Sequence, residues 1–323
     1  MQDFLSVADL SSAQLVRVLD LADELKADRA SRHAAWSTHV RDELRGQSVA
    51  LLFEKPSLRT RASFEVAVHE LGGHPIPMFD FEVGLGKRET ITDTGKVLSR
   101  YVHAIVIRSF GQERVEELAA ASDVPVVNAL TDLEHPCQAL ADLQTLRAAS
   151  GGLAGRALAY VGDGNNVAHS LLLGGALVGM SVRVAHPEGY APDPGVVERA
   201  RKLAASSGGQ IVVTTDPEEG VAGADAVYTD VWASMGQEAQ ASERRDHFRP
   251  YQVTSRLMGL AGHDAVFLHC LPAHRGEEVA EDVIDGPASR VFDQAENRLH
   301  AQKALLIEVT SQHPLDPRTV EEG

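Results

Sequence analysis

The sequence predicts an α/β protein: two doubly wound parallel-sheet domains joined by helices, with a C-terminal helix packing back on the first domain. Three observations predict it. Short apolar runs of strand length alternate with stretches at helical spacing, and the alternation occurs in two successive series. The series are separated by Ala149-Ser150-Gly151-Gly152-Leu153-Ala154-Gly155, which has the composition of a linker. The chain has 323 residues, a length that suits two domains.

Taken in order, residues 6–27 carry Leu10, Leu15, Val18, Leu19, Ala22 and Leu25 at helical spacing, so one amphipathic helix is expected there. After Gly46 the pattern changes to strand, loop and helix. Val49–Phe53 reads as a strand, followed by Glu54-Lys55-Pro56 and a helix that closes at Gly72-Gly73. Strands follow at Ala104–Ile107 and Val124–Leu130, then a helix from Pro136 to about Leu146. Beyond the linker, strands are expected near 157–161, 181–185, 210–214, 225–231 and 265–269. Gln237–Arg249 is polar and reads as turn-rich, and Ala295–Val309 reads as the final helix. The expected division is 1–148, rejoined by about 296–323, and 149–295.

Composition narrows the function classes. Hydrophobic residues make up 44% and charged residues 24%, enough apolar material for two cores. The longest apolar run is too short to span a bilayer. Met1–Leu10 holds Asp3 and Asp9 and no basic cluster, which argues against a secretory signal. Lys and Arg total 30 against 46 Asp and Glu, a net charge of −16. A field of that sign repels nucleic acid and acidic membranes, so neither is expected as a partner. An anionic substrate would have to be held by local, positioned cations. Cys137 and Cys270 are the two cysteines, too few for a disulfide framework, and a reducing cytoplasm fits them.

The unusual polar clusters all fall where strands end, the place where open α/β sheets collect ligands. Phe53-Glu54-Lys55-Pro56-Ser57-Leu58-Arg59-Thr60-Arg61 joins a strand to a helix starting near Ser57. A helix start offers unpaired N–H groups and about half a positive charge. Ser57 and Thr60 add hydroxyls, and Arg59 adds a planar fork suited to phosphate oxygens. The bland alternative is an N-cap serine with two solvated arginines. In His135-Pro136-Cys137-Gln138, Pro136 suits the first helical position. His135 and Gln138 can then converge on one carbonyl oxygen. The alternative is a capped helix with an incidental histidine.

Val161-Gly162-Asp163-Gly164-Asn165-Asn166-Val167 begins like a dinucleotide loop, but Val167 stands where the third glycine belongs, and the next strand runs into His186. Asn165 and Asn166 at a helix start suit a carboxylate or an amino-acid backbone. Asp230-Val231-Trp232-Ala233-Ser234-Met235-Gly236 and His269-Cys270-Leu271-Pro272-Ala273-His274 place an acid and a thiol at neighbouring strand ends, where they can handle an amine. A buried, inert Cys270 is the alternative. Two metal readings fail on spacing. His69-Glu70-Leu71-Gly72-Gly73-His74 has Gly73 where a metalloprotease has its second histidine, and His269, Cys270 and His274 lack a fourth ligand.

Together these motifs resemble the aspartate/ornithine carbamoyltransferase family from about residue 3 to residue 310. Ser234-Met235-Gly236 and the Cys270 motif resemble its ornithine branch. The resemblance implies transfer of the carbamoyl group of carbamoyl phosphate to the δ-amine of L-ornithine, giving L-citrulline and phosphate, in arginine biosynthesis or in the reverse, catabolic direction. It implies that Ser57, Arg59, Thr60 and Arg108, with the backbone N–H of Leu58, bind phosphate. His135, Gln138 and Arg298 hold the carbamoyl group. Asn166, Asp230, Ser234 and Met235 bind ornithine. Cys270 and Leu271 lie beside the reacting amine and against the carbamoyl phosphate, with the Leu271–Pro272 peptide cis. Arg59, His135, Asp230 and Cys270 form the implied catalytic set. The family uses two α/β domains, a trimeric catalytic unit and neither cofactor nor metal.

Two positions depart from the family pattern. Leu58 replaces a threonine in the phosphate motif, which is harmless if that position acts through its N–H. Gly84 replaces a glutamine that a neighbouring subunit offers to the ligand, with Lys87 and Arg88 as candidate substitutes. The amine must lose a proton before it attacks. From a pKa near 10.4 this costs about 4.6 kcal/mol at pH 7. Asp230 is therefore expected on the α-ammonium, or acting with Cys270 to remove the proton. The 232–240 turn is expected to fold over ornithine and exclude water. Transfer to another amine, such as putrescine or an N-acylated ornithine, is the alternative within the class. A nicotinamide-dependent oxidoreductase and a non-catalytic binding protein are the alternatives outside it.

Overall fold

The computed structural model describes residues 3–34, 41–233 and 241–311. The chain divides into two compact units, each built on its own sheet.

The first unit comprises the chain up to Ala141 together with the part from Asn297 onward. Its sheet contains β1 (Ser48–Phe53), β2 (His74–Phe79), β3 (Ala104–Arg108) and β4 (Val126–Leu130) in the order β2-β1-β3-β4, all parallel. Helices α1 (Ser12–Ala34), α2 (Leu58–Glu70), α3 (Asp80–Val83), α4 (Ile91–Leu98) and α5 (Gln112–Ala121) connect and flank the strands. The strands β1, β3 and β4 are buried almost throughout, as a parallel sheet covered on both faces requires. Ala50, Leu52, Ile105 and Ile107 join Leu98, Val115 and Leu118 in one core.

Three details differ from the sequence expectation. The helix over 6–27 is two elements. Ser6 and Asp9 form a capping box on a short 3-10 turn, Val7–Asp9, and α1 starts afresh after Ser11, whose N–H and hydroxyl both bond the Gln14 side chain. Strand β2 carries no apolar alternation that would mark it, because Pro75 and Pro77 interrupt it. The prolines are tolerated because β2 is the edge strand and, two residues apart, both can turn toward the open side. Helix α6 (Pro136–Ser150) runs past the expected Leu146, and the units divide within it, between Ala141 and Asp142, rather than in the glycine-rich stretch 149–155.

The second unit, Asp142–Glu296, holds β5 (Ala157–Val161), β6 (Ser181–Ala185), β7 (Gln210–Thr214), β8 (Ala226–Thr229) and β9 (Val266–His269), parallel and ordered β7-β6-β5-β8-β9. Helices α7 (Asn166–Leu177), α8 (Pro194–Ser207), α9 (Pro217–Val221), α10 (Ala241–Phe248), α11 (Ser255–Met258) and α12 (Glu281–Ile284) complete it. Strand β8 stops at Thr229, so Asp230 stands just beyond it instead of within a strand over 225–231. The stretch expected to be turn-rich is helical over Ala241–Phe248. Ser234, Met235 and Gly236, with the rest of the expected lid to residue 240, lie outside the described residues. The last helix, α13 (Val291–Thr310), begins in the second unit, and from Asn297 it belongs to the first. There Lys303 binds Glu70 and Arg298 binds Thr60, so α13 packs on α2.

Both sheets have a topological switch point. In the first, the chain leaves β1 toward β2 on one side and toward β3 on the other. In the second the same reversal lies between β5 and β8. Ligands of such folds collect outside the carboxyl ends of the strands at that point.

Candidate active site

At the first switch point β1 ends at Phe53, in register with Arg108 at the end of β3. The loop after β1 leads into α2, where Ser57 is the N-cap and its oxygen accepts the Thr60 N–H at 3.3 Å. The cap considered as the bland alternative is therefore present, and Arg61 is exposed and pairs with Glu65 at 2.6 Å, but other arginines gather at this helix start. Arg108 and Arg298 are buried, and both donate to the Thr60 hydroxyl, at 3.5 and 2.9 Å. Arg59 is half-buried. Leu58 points its side chain into solvent, 81% exposed, so at this position only the backbone faces the helix mouth.

The third strand end of this unit delivers His135. It follows β4, and its carbonyl accepts the N–H groups of Gln138 and Ala139 at the start of α6. His135 and Gln138 are both buried. Burial pushes the His135 imidazole well below its usual pKa, and Arg298, Arg108 and Arg59 push it further. A histidine so placed is neutral at physiological pH. Cys137 faces inward, donates to the Asn128 carbonyl at 3.3 Å and has its thiol pushed up to about 12 by burial. It is an inert packing residue. Behind the loops, Glu54 binds Arg114 in a fork and accepts from Ser109, while Arg114 also donates to the Leu85 carbonyl at 2.9 Å. Lys55 pairs with Asp132 and lies 4.4 Å from the Phe110 ring. The loops after β1, β3 and β4 are thus tied together from behind. Gly84 adopts φ 62°, and a Cβ there would lie 2.9 Å from the Arg88 Cβ, so the turn itself demands glycine. Lys87 pairs with Asp80 at 3.4 Å.

The second switch point gathers Asn165, Asp230 and Cys270. Asn165 is the N-cap of α7, its Oδ1 accepting from Val167 and Ala168. Its Nδ2 donates to Asp230 Oδ2 at 2.8 Å. Asp230 Oδ1 accepts from the Val231 N–H at 2.8 Å and from Cys270 Sγ at 2.9 Å. The Cys270 thiol thus points at the Asp230 carboxylate. Tyr160 donates to Asn165 Oδ1 at 3.2 Å, and burial with the nearby Asp230 and Asp163 keeps its phenol well above the usual pKa. Asn166 occupies the first position of α7, beside this group.

The Gly-Asp-Gly turn answers to packing. Gly162 sits at φ 142°, and a Cβ at Gly164 would lie 2.2 Å from the Pro192 nitrogen. Both glycines are thereby explained without a pyrophosphate. The Leu271–Pro272 peptide is cis, and Leu271 has φ 59°. The Leu271 N–H donates to His269 Nδ1 at 2.8 Å, and His269 Nε2 lies 3.3 Å from the buried Glu278 carboxylate. Burial alone would raise Glu278, but His269 and the His274 N–H hold it below the usual range. Donor atoms of Asp230, His269 and Cys270 lie within 4.8 Å of one another. The Leu271 N–H occupies His269 Nδ1, Nε2 faces Glu278, and His274 groups with Glu277 and Glu278 instead.

Two family models match the chain. That for the carbamoyl-P binding domain of aspartate/ornithine carbamoyltransferase covers residues 2–148, and that for its Asp/Orn binding domain covers residues 154–309. The chain belongs to the aspartate/ornithine carbamoyltransferase family. It is 58% identical over 303 residues to the ornithine carbamoyltransferase of Parafrankia sp., covering 94% of each chain. It is 54% identical over 306 residues to that of Anoxybacillus flavithermus, covering 95% of this chain and 96% of the relative. The solved ornithine carbamoyltransferase from Pyrococcus furiosus superposes with a TM-score of 0.91 at 49% identity, covering 96% of this chain and 97% of that one.

Of the residues singled out in the sequence, the structure brings Arg59, Thr60, Arg108, His135 and Arg298 together in the first unit and Asp230 with Cys270 in the second. Asn165 makes a hydrogen bond to Asp230. Its place immediately before a helix, as an N-cap, is the signal that marks it in the sequence.

Proposed function

We propose that the chain is an ornithine carbamoyltransferase, transferring the carbamoyl group of carbamoyl phosphate to the δ-amine of L-ornithine and releasing L-citrulline and phosphate. The observation that carries this reading is the convergence of Arg59, Arg108 and Arg298 on a buried, neutral His135 at the β1/β3 switch point. Three clustered guanidiniums repel one another, and a phosphate dianion removes that cost while taking charge-assisted hydrogen bonds. The high identity to relatives named ornithine carbamoyltransferase supports ornithine as the acceptor over putrescine or an N-acylated ornithine.

In this reading the phosphate lies at the start of α2, held by Arg59, Arg108, the Ser57 and Thr60 hydroxyls and the Leu58 N–H. The Thr60 oxygen takes N–H donors from two arginines and so can aim its proton at the anion. His135, Gln138 and Arg298 hold the carbamoyl oxygen. Because His135 is neutral, it donates from one nitrogen without giving up a full charge, and the arginines carry the negative charge that develops as the amine adds. Phosphate then leaves into the same cluster of cations.

The acceptor lies against Asn166, Asp230, Ser234 and Met235, with Cys270 and Leu271 beside the amine. Three donors already fix the Asp230 carboxylate, which keeps lone-pair capacity for an ammonium N–H. The Cys270 thiol, hydrogen-bonded to that carboxylate, forms a path along which the amine proton can pass. These residues act without a cofactor or a resident metal. The protein works as a homotrimer, or a multiple of trimers, in the cytoplasm. Among the described residues no helix is long and apolar enough to cross a membrane.

A panel of amines incubated with carbamoyl phosphate and scored for ureido product tests the assignment. Citrulline from ornithine, with little product from putrescine or N-acetylornithine, is expected. A preference for either of the latter would overturn it.

A further inference from the structure

Arg244 stands outside every motif read from the sequence, yet it is 5% exposed and makes directed contacts on all sides. It lies in α10. Its Nη2 binds the Asp163 carboxylate, and its Nε donates to the Trp232 carbonyl. Its guanidinium lies 4.7 Å from the Tyr190 ring and 5.1 Å from the Phe248 ring. Those two rings meet edge to face at 4.7 Å. The Tyr190 carbonyl, in turn, accepts the Gly164 N–H at 2.9 Å.

The loop Asp163–Asn166 is therefore held twice by one assembly, through the Asp163 side chain and the Gly164 backbone. That loop presents Asn165, whose Nδ2 fixes Asp230. Trp232, the other residue held by Arg244, follows Asp230 by two positions. Arg244 thus grips the chain on both sides of the Asn165–Asp230 bond.

We propose that Arg244 is a positioning residue of the acceptor half: it locks the Asp163–Asn166 loop and Trp232 so that Asp230 and Asn166 meet the amino-acid acceptor in register. The inference rests on the reading of this unit as the ornithine-binding one. Its chemistry is specific to a guanidinium. The planar fork reaches a carboxylate and a carbonyl together while both faces lie against rings, which an ammonium cannot reproduce. Asp163 supports the same view. Burial raises its carboxyl, and Arg244 works against that rise, so removing the arginine leaves a poorly solvated carboxylate at the mouth of the loop.

The test is steady-state kinetics on the full chain, varying ornithine and carbamoyl phosphate separately, for wild type, Arg244→Gln, Arg244→Lys and Tyr190→Leu. Arg244→Gln is expected to raise the ornithine KM about tenfold or more and to leave the carbamoyl phosphate KM within about twofold. Arg244→Lys should fall between it and wild type. Tyr190→Leu, which keeps both charges, should move the ornithine KM in the same direction by less. Equal rises in both KM values, or a fall in kcat with both unchanged, would overturn the proposal, because a general structural role predicts no split. If Arg244→Gln does not fold, an unchanged ornithine KM in the other two variants overturns it equally. Failure of the functional reading is separately visible as absence of citrulline formation by the wild type. The same KM comparison then applies to whichever amine the wild type carbamoylates.

Discussion

His135 gives the sharpest prediction, because its protonation state is a statement about both stability and catalysis. The perturbation is His135→Gln, which keeps a neutral hydrogen-bonding side chain and removes the titration. In the folded chain burial and three arginines hold the imidazole well below its ordinary value of 6.5, while the unfolded chain titrates near that value. Between the two, the unfolded state binds the extra proton, so stability rises with pH and is lost as pH falls below 6.5. From pH 7.5 to 5.5 the unfolded histidine gains its proton almost completely. The loss traceable to this one residue is about 1.4 kcal/mol. Urea unfolding at fixed protein concentration, with a phosphate-free buffer, measures it. The wild type should lose about 1.4 kcal/mol more than His135→Gln over that interval. The other histidines titrate in both proteins and cancel. Parallel stability curves for the two proteins would refute the reasoning, since they would mean that His135 keeps a nearly ordinary pKa in the fold.

The remaining predictions concern single contacts. Arg59→Ala should lower kcat/KM by about 10²–10³, the range for losing a group that meets developing charge. Ser57→Ala should cost far less, because the serine oxygen is already engaged as a cap. Near-equal losses would count against the ranking. Leu58→Thr should leave the carbamoyl phosphate KM essentially unchanged, since the native side chain faces solvent; a marked fall would show that a hydroxyl there reaches the ligand. In the α2–α13 contact, Glu70 carries Arg29 as well as Lys303, whereas Lys303 is fully buried. Glu70→Ala strands a buried ammonium and should cost about 3–5 kcal/mol of unfolding free energy, and Lys303→Met clearly less. The opposite order by denaturant unfolding would refute that account.

The sequence carried most of the fold because parallel strands buried on both faces leave continuous apolar runs. Val49–Phe53, Ala104–Ile107 and 157–161 were legible on that ground, and their observed limits differ by a residue or less. Strand β2 was not, because Pro75 and Pro77 remove the signal and only an edge position makes them harmless. The break between Leu10 and Ser12 was hidden because the apolar spacing continues across it, while the two local capping arrangements that cause it involve polar side chains. At the site, the clusters were legible because each falls at a strand end. The pairing of Asp230 with Cys270 was legible too, but the bond from Asn165 to Asp230 was not, since strand order β5-β8 joins them and no local pattern states it. Arg244 was invisible for the same reason: it sits in a polar stretch, and its partners Asp163, Tyr190 and Trp232 are distant in sequence or unremarkable in type.

The two switch points also differ in the sign of the charge they collect, and that difference carries chemical information the shared topology does not. A chain of net charge −16 repels a dianion on average. The first unit overcomes this by placing three arginines around one neutral histidine, close enough to shift its titration. The second unit does the reverse. Asp163 and Asp230 stand at the ends of β5 and β8, and the Arg244 guanidinium bound there is paired with Asp163. Asp230 keeps its partners neutral: an amide, a backbone N–H and a thiol. A phosphate placed there would meet carboxylates, and a diamine placed in the first unit would meet arginines. Each sheet therefore excludes the other's substrate, and a phosphate-bearing donor with an ammonium-bearing acceptor is the pair of substrates that satisfies both.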